Sequence, residues 1–270
     1  MSNKNLILFD RNNSRDHASI HKTDVTATIH GTDIVLFRKS NRVIIPGSYY
    51  TAAKHFGINP PIKLPTYNTH LGLDGIQALT DKEERDALVV LFAVGIDGCG
   101  PENSQVYDVD YTKWIAPESL VPFRYVFDDN DLSDTLRKKY YGRKKITGTD
   151  KIAYYFKAFE TEPVMYQQYV DGTPIDENIF ISDNTMEVET YVELKLTITK
   201  EDCREFFEAT TGINDAKVNT ISLLTAVPKN IDGSGHVYYQ GIRPLTKLNF
   251  PNESLIDLTK GIDITYHIYY

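Results

Sequence analysis

Met186-Glu-Val-Glu-Thr-Tyr-Val-Glu-Leu-Lys-Leu-Thr-Ile198 carries the clearest pattern in the chain. Met186, Val188, Thr190, Val192, Leu194, Leu196 and Ile198 fall on one side, and Glu187, Glu189, Tyr191, Glu193, Lys195 and Thr197 on the other. A period of two over so many residues predicts a long antiparallel strand with one face in a core and one in water. The end of the chain repeats it. Ile262, Ile264, Tyr266, Ile268 and Tyr270 alternate with Asp263, Thr265, His267 and Tyr269, so the C-terminus is expected to be tied into a sheet.

Working outward, Lys151 to Phe159 places Ile152, Tyr154, Phe156 and Ala158 at strand spacing, and Val218 to Val227 reads as a strand broken by Pro228. Asp232-Gly-Ser-Gly235 is a hairpin loop. Leu120 to Phe127 reads as a strand made irregular by Pro122. Ala87 to Val94 reads as a buried strand preceded by the capping box Thr80-Asp-Lys-Glu83, with a continuous helix as the alternative. Near the start, Thr23–Ile29 alternates as a strand, and Asp33–Phe37, turning at Lys39-Ser40-Asn41 into Val43-Ile44-Ile45 before the Pro46-Gly47 turn, suggests a hairpin.

Two helices are expected. One starts at Asp131 or Ser133, carries Leu136, Tyr140 and Tyr141, and stops at Gly142. The other is capped by Thr199, holds Asp202 at its third position, lays Cys203, Phe206 and Phe207 on the core, and stops at Gly212. The fold class expected is α+β, mainly β: an antiparallel sandwich or barrel with two short helices and extended loops. Residues 1–84 read as N-terminal strands and a Pro-rich arm (Asn59–Thr69), and 85–270 as the main β-rich domain, with one continuous domain as the alternative.

Composition narrows the function classes. The chain has 270 residues, 41% hydrophobic and 24% charged, which suits a folded protein. No apolar run approaches the ~20 residues that span a bilayer, and the N-terminus lacks a secretory pattern, so no membrane partner is expected. A net charge of −8 disfavours a dedicated nucleic-acid binder, leaving local DNA contact open. Cys99 and Cys203 show neither disulfide nor zinc spacing. The 18 tyrosines, roughly twice average usage, suit strand faces and protein interfaces.

Chemistry-bearing motifs are sparse. Gly95, Gly98 and Gly100 do not open a phosphate-binding helix and read as a turn needing positive φ. Cys99 has no histidine near it in sequence. The cluster Asp128-Asp129-Asn130-Asp131 has oxygen ligands without calcium-loop spacing, and reads as a helix-capping turn. No catalytic residue, cofactor or metal is assigned. The candidate interface combines Arg137, Lys138, Lys139, Tyr140, Tyr141, Arg143, Lys144 and Lys145 with Glu187, Glu189 and Glu193. Helix termination also accounts for the basic run.

The stretches Leu120-Val-Pro-Phe-Arg-Tyr125, Asn130-Asp-Leu-Ser133, Lys139-Tyr-Tyr-Gly-Arg-Lys144, Gln168-Tyr-Val-Asp-Gly-Thr-Pro-Ile175, Thr185-Met-Glu-Val-Glu-Thr-Tyr-Val-Glu193 and Leu255-Ile-Asp-Leu-Thr-Lys-Gly-Ile-Asp-Ile264 share a texture. Over about residues 85–270 the chain resembles virion structural proteins of large contractile-tailed bacteriophages. The resemblance implies a neck, collar or head-to-tail connector subunit, assembled in the host cytoplasm. It would form a homo-oligomeric ring around the portal or tail axis and touch portal, tail-tube or sheath proteins. It carries over no catalytic residues. Alternatives from other classes are a carbohydrate- or receptor-binding β module and a metal-dependent enzyme built on the acidic turn.

Overall fold

The computed structural model describes residues 22–101, 105–110, 115, 117–169, 171–173, 175, 188–212, 216–230, 233, 235–255, 257 and 261–270. The elements are β1 (Lys22–Ile29), β2 (Val35–Arg42), α1 (Ile45–Phe56), α2 (Tyr67–Leu71), α3 (Asp81–Arg85), β3 (Leu88–Gly95), β4 (Leu120–Val121) and β5 (Arg124–Phe127). There follow α4 (Asp134–Arg137), β6 (Tyr140–Lys145), β7 (Lys151–Ala158), β8 (Val164–Tyr169), β9 (Val188–Ile198), α5 (Arg204–Thr211), β10 (Lys217–Lys229), β11 (Tyr238–Pro244), β12 (Leu248–Ser254) and β13 (Ile262–Tyr269). The protein is mostly β, its antiparallel sheets curling into a half-barrel sandwich with short helices.

One sheet has the order β2-β1-β13-β9-β8, and the other runs β11-β10-β3-β7-β5 with β12, β4 and β6 attached. The two strands with the cleanest alternation, β9 and β13, lie side by side with Leu196 opposite Ile264. Residues before 84 share this sheet, since β1 pairs with β13 along its length. The main core lies between the sheets, where Val25, Leu196 and Ile264 meet Phe92, Val94 and Leu223. A second core packs Tyr67, Leu71 and Ile115 onto the other face of β3, over Leu91 and Ala93. β3 is thus buried on both faces, which is why Ala87–Val94 reads as an unbroken apolar run. The Thr80–Glu83 capping box forms and α3 ends at Arg85, so the continuous-helix alternative is set aside.

Several local expectations are corrected. The expected hairpin of Asp33–Phe37 with Val43–Ile45 is replaced: Lys39–Asn41 lie inside β2, which pairs back on β1 after a turn at Ile29, while Val43 forms an isolated bridge to Thr246 and Ile45 opens α1. Pro46 opens α1 near its first position, where its missing N–H is harmless. Pro228 does not end β10. It pairs with Tyr239 of β11 beyond the last β3 partner, so only one side of the strand needs donors there. Pro122 divides two short strands, β4 pairing with β3 and β5 with β7. The Pro-rich stretch is anchored: Arg243 donates to the Leu64 carbonyl at 3.2 Å and Asn68 donates to the Tyr239 carbonyl at 2.7 Å.

The expected helix through Tyr140 and Tyr141 is also replaced. α4 stops at Arg137 and the chain turns into β6 against β7. Gly142 does not end a helix. It takes φ +69° within β6, and a Cβ there would stand 2.3 Å from the Phe156 ring. The second helix forms late: Thr199–Cys203 is a turn, Cys203 takes φ +66°, and α5 begins at Arg204.

That turn delivers Asp202 into the interior. Asp202 is 0% exposed, accepts from Lys157 (2.9 Å), the Tyr140 hydroxyl (2.9 Å) and the Thr199 N–H (2.9 Å), and forms an ion pair with Arg124 at 2.8 Å. Lys157, buried on β7, also donates to the Thr197 carbonyl on β9 at 2.7 Å. One ammonium therefore joins the two sheets. Burial and the Asp202 carboxylate push the Tyr140 phenol upward, keeping it a donor.

Asp202→Asn removes the buried counter-charge of Lys157 and Arg124, leaving Lys157 only the more exposed Glu160 at 3.7 Å, and is expected to lower unfolding free energy by about 3 kcal/mol. Urea denaturation of this variant and of Lys157→Met/Asp202→Leu checks the assignment. The double variant should lose less than the sum of its single variants, because the groups act as a unit.

Candidate interaction face

Alternation along β9 and β13 turns one side chain in two outward from the five-stranded sheet. The register sets Tyr191 opposite Tyr269 and Glu193 opposite His267, while Tyr166 of β8 stands opposite Tyr191. Tyr191 becomes the hub of an aromatic cluster. Its ring centroid lies 5.4 Å from Tyr166, 5.5 Å from Tyr269 and 4.6 Å from His267. Such pairs contribute beyond their buried area and hold the rings in fixed orientations.

Carboxylates frame the rings. Glu193 accepts from His267 Nε2 at 3.1 Å and pairs with Lys195 at 3.1 Å. Burial alone would raise the pKa of Glu193, but the bonds from Lys195 and His267 outweigh it and hold the group below the usual carboxylate range. Glu189 accepts a long 3.4 Å bond from Gln168. At the sheet edge Val164, Met165 and Tyr166 are exposed at 45%, 70% and 41%, an apolar edge without the charges that commonly guard one. The opposite edge strand, β2, carries Arg38 and Lys39. Of the three glutamates read from sequence, Glu189 and Glu193 share this face, and Glu187 lies outside the described residues.

The basic half of the candidate interface is divided by the fold. Tyr140 is buried against Asp202 and offers nothing to a surface. Tyr141 is half-buried, packs edge-on to Tyr239 with centroids 4.7 Å apart, and donates to the Lys138 carbonyl. Arg143 sits among Asp74, Asp128 (3.5 Å) and Asp131 (3.1 Å), and Lys145 pairs with Asp128. Arg137, Lys138, Lys139 and Lys144 make no ion pair among the described residues.

The same contacts explain the acidic turn. Asp131 accepts from Tyr154 and from the Leu132 N–H as well as Arg143, and these bonds overcome its desolvation to keep its pKa low. A guanidinium stands where a cation would have to bind, and among the described residues no three His, Cys, Asp or Glu side chains are placed to hold a metal. Cys99 is buried, and Gly98 is needed for close approach, not for positive φ. A Cβ there would lie 2.2 Å from the Asn219 carbonyl oxygen, whose side chain accepts the Gly98 N–H at 2.7 Å.

Sequence reading missed the Lys157–Asp202–Arg124 cluster. Its one signal was a lysine between Phe156 and Ala158, inside an otherwise apolar strand. Comparison with protein-family models, curated proteins and solved structures finds no match.

Because the pKa of Glu193 is depressed in the folded state, its contribution is present above the unfolded carboxylate value, ~4.3, and is lost as pH falls through the folded value. Urea unfolding from pH 6 to pH ~2 should show wild type more stable than Glu193→Gln at the upper end. The two curves should converge on acidification.

Proposed function

We propose that this chain is a non-catalytic assembly subunit that holds its neighbours through the outer face of the five-stranded sheet. The observation carrying the reading is the Tyr166–Tyr191–Tyr269–His267 cluster beside an unguarded apolar edge strand. Rigid, half-exposed tyrosines suit the centre of an interface, because the ring buries area while the hydroxyl stays hydrated. The resemblance in sequence texture supports one assembly: a neck, collar or head-to-tail connector of a contractile-tailed phage, with copies arranged in a ring. Lys138, Lys139 and Lys144, which make no ion pair among the described residues, complement the Glu189–Glu193 face of an adjacent copy, as a heterologous ring contact requires.

A second reading, a glycan- or receptor-binding module of the virion, draws on the same exposed Tyr166, since a tyrosine face can also stack on a sugar ring.

Light scattering of the purified chain is expected to show a closed oligomer. Tyr166→Ser/Tyr191→Ser should shift it to monomer with unchanged circular dichroism. Mass spectrometry of purified virions should find the chain in stoichiometric amounts, and its absence there ends the phage assignment. A monomer that binds glycans and loses binding in Tyr166→Ser establishes the second reading instead.

A further inference from the structure

α1, α3, the start of β3 and residues of β10 and β13 enclose a cleft of about 250 Å³, whose Ile268 and Tyr270 alternate along the chain with His267 and Tyr269 of the aromatic hub. Its floor is aliphatic, formed by buried Val43, Leu245 and Ile268 with half-buried Val89. Tyr50 forms a fixed wall. The Arg243 guanidinium lies 4.4 Å from its ring centroid, and its hydroxyl oxygen accepts the Leu64 N–H at 3.2 Å. An apolar cavity of roughly 150 Å³ suffices for benzene, so the space admits a ring or branched alkyl group with a small polar head.

The charges at the mouth are not equivalent. Glu84, the one acid lining the cleft, faces Arg243 at 3.6 Å and Lys63 at 3.8 Å. Arg85 is engaged by Asp86 at 2.9 Å and by the Gly57 carbonyl at 2.8 Å. Lys54 makes no ion pair within 4 Å among the described residues, and the nearby Asp86 carboxylate that feels its charge is already held by Arg85. The Lys54 Nζ donates only to the Ala87 carbonyl at 3.2 Å, and Ala87 also lines the cleft. An ammonium has three donors, so at least one is free to meet a ligand. An apolar floor beneath a cation with no direct ion pair among the described residues selects for hydrophobic bulk joined to a single negative charge. A cationic ligand would meet no free acid, and a polyanion would bury its charges on an aliphatic floor.

We propose that this cleft binds a small organic monoanion: a carboxylate on an aromatic or branched aliphatic group, its tail on Val43, Leu245 and Ile268 and its charge on Lys54. The assembly role stands or falls separately, because none of these residues belongs to the aromatic face.

Isothermal titration of the full chain with benzoate, 3-phenylpropanoate and 4-methylpentanoate, each beside its neutral amide, tests the assignment. At least one acid should bind, with its amide weaker by about tenfold or more. Lys54→Met, at an exposed position the fold tolerates, should erase that preference, and Lys54→Arg should retain it. Ala87→Trp, filling the cleft from its rim, should abolish binding of acid and amide alike, with thermal unfolding confirming a folded chain. Failure of all three acids to bind wild type overturns the proposal. So does equal affinity for acid and amide, or a preference that survives Lys54→Met.

Discussion

Lys157 carries a full charge into the space between two sheets, and the sandwich is organised around accommodating it. Its ammonium reaches the Thr197 carbonyl on the opposite sheet and the Asp202 carboxylate, which also receives Arg124, Tyr140 and the Thr199 N–H. A buried ion cluster of this kind contributes little net stability relative to well-packed apolar groups, because desolvation offsets the attraction. It does supply alignment. The bonds exist only when β7 faces the end of β9 and the Thr199–Cys203 turn closes as it does, so alternative slips of one sheet over the other leave charges unpaired. The left-handed backbone at Cys203 is part of that arrangement, since its N–H donates to the Phe123 carbonyl at 3.0 Å.

At the opposite corner the sheets meet through backbone. Val43 bridges to Thr246, the Ile44 N–H donates to Leu245, and Lys39 reaches the Asn249 carbonyl at 2.9 Å, with Phe37 stacked on Phe250. Ion cluster at one end and closed corner at the other hold β9 and β13 still enough for their outward rows to keep one geometry. The aromatic hub on Tyr191 follows from this. Four rings from three strands meet because cross-strand register is rigid, not because any of them is near another in sequence, apart from those two residues apart on β13. A surface of this kind is preorganised, which reduces the ordering cost of association.

Where local reading went astray, tertiary context supplied the stronger force. Leu136, Tyr140 and Tyr141 have helical spacing, but Tyr140 gains an internal acceptor in Asp202 and Tyr141 an aromatic partner in Tyr239 only if the chain runs as a strand. Lys138, Lys139 and Lys144 look like one patch with Arg143 and Lys145 in sequence. In the fold, three aspartates from two distant segments take Arg143 and Lys145 out of it. Pro46-Gly47 looks like a turn because both residues are common there, yet proline is equally at home in a first helical turn.

What residue order alone determined was periodicity. The alternation of β9 and β13, the doubly apolar β3, the Thr80 capping box and the Cys203–Phe206–Phe207 stripe each follow from spacing, because a strand or helix exposes its faces at a fixed period. The mainly β, sandwich-like class followed with them. Only the tertiary structure decided which charges are free and which are neutralised. Partnership of Asp202 with Lys157 and Arg124, and of Arg143 with Asp74, depends on residues 45 to 78 positions apart in the chain being brought within ångströms. Electrostatic pairing acts through space and leaves no period in the chain, so no reading of spacing could reach it.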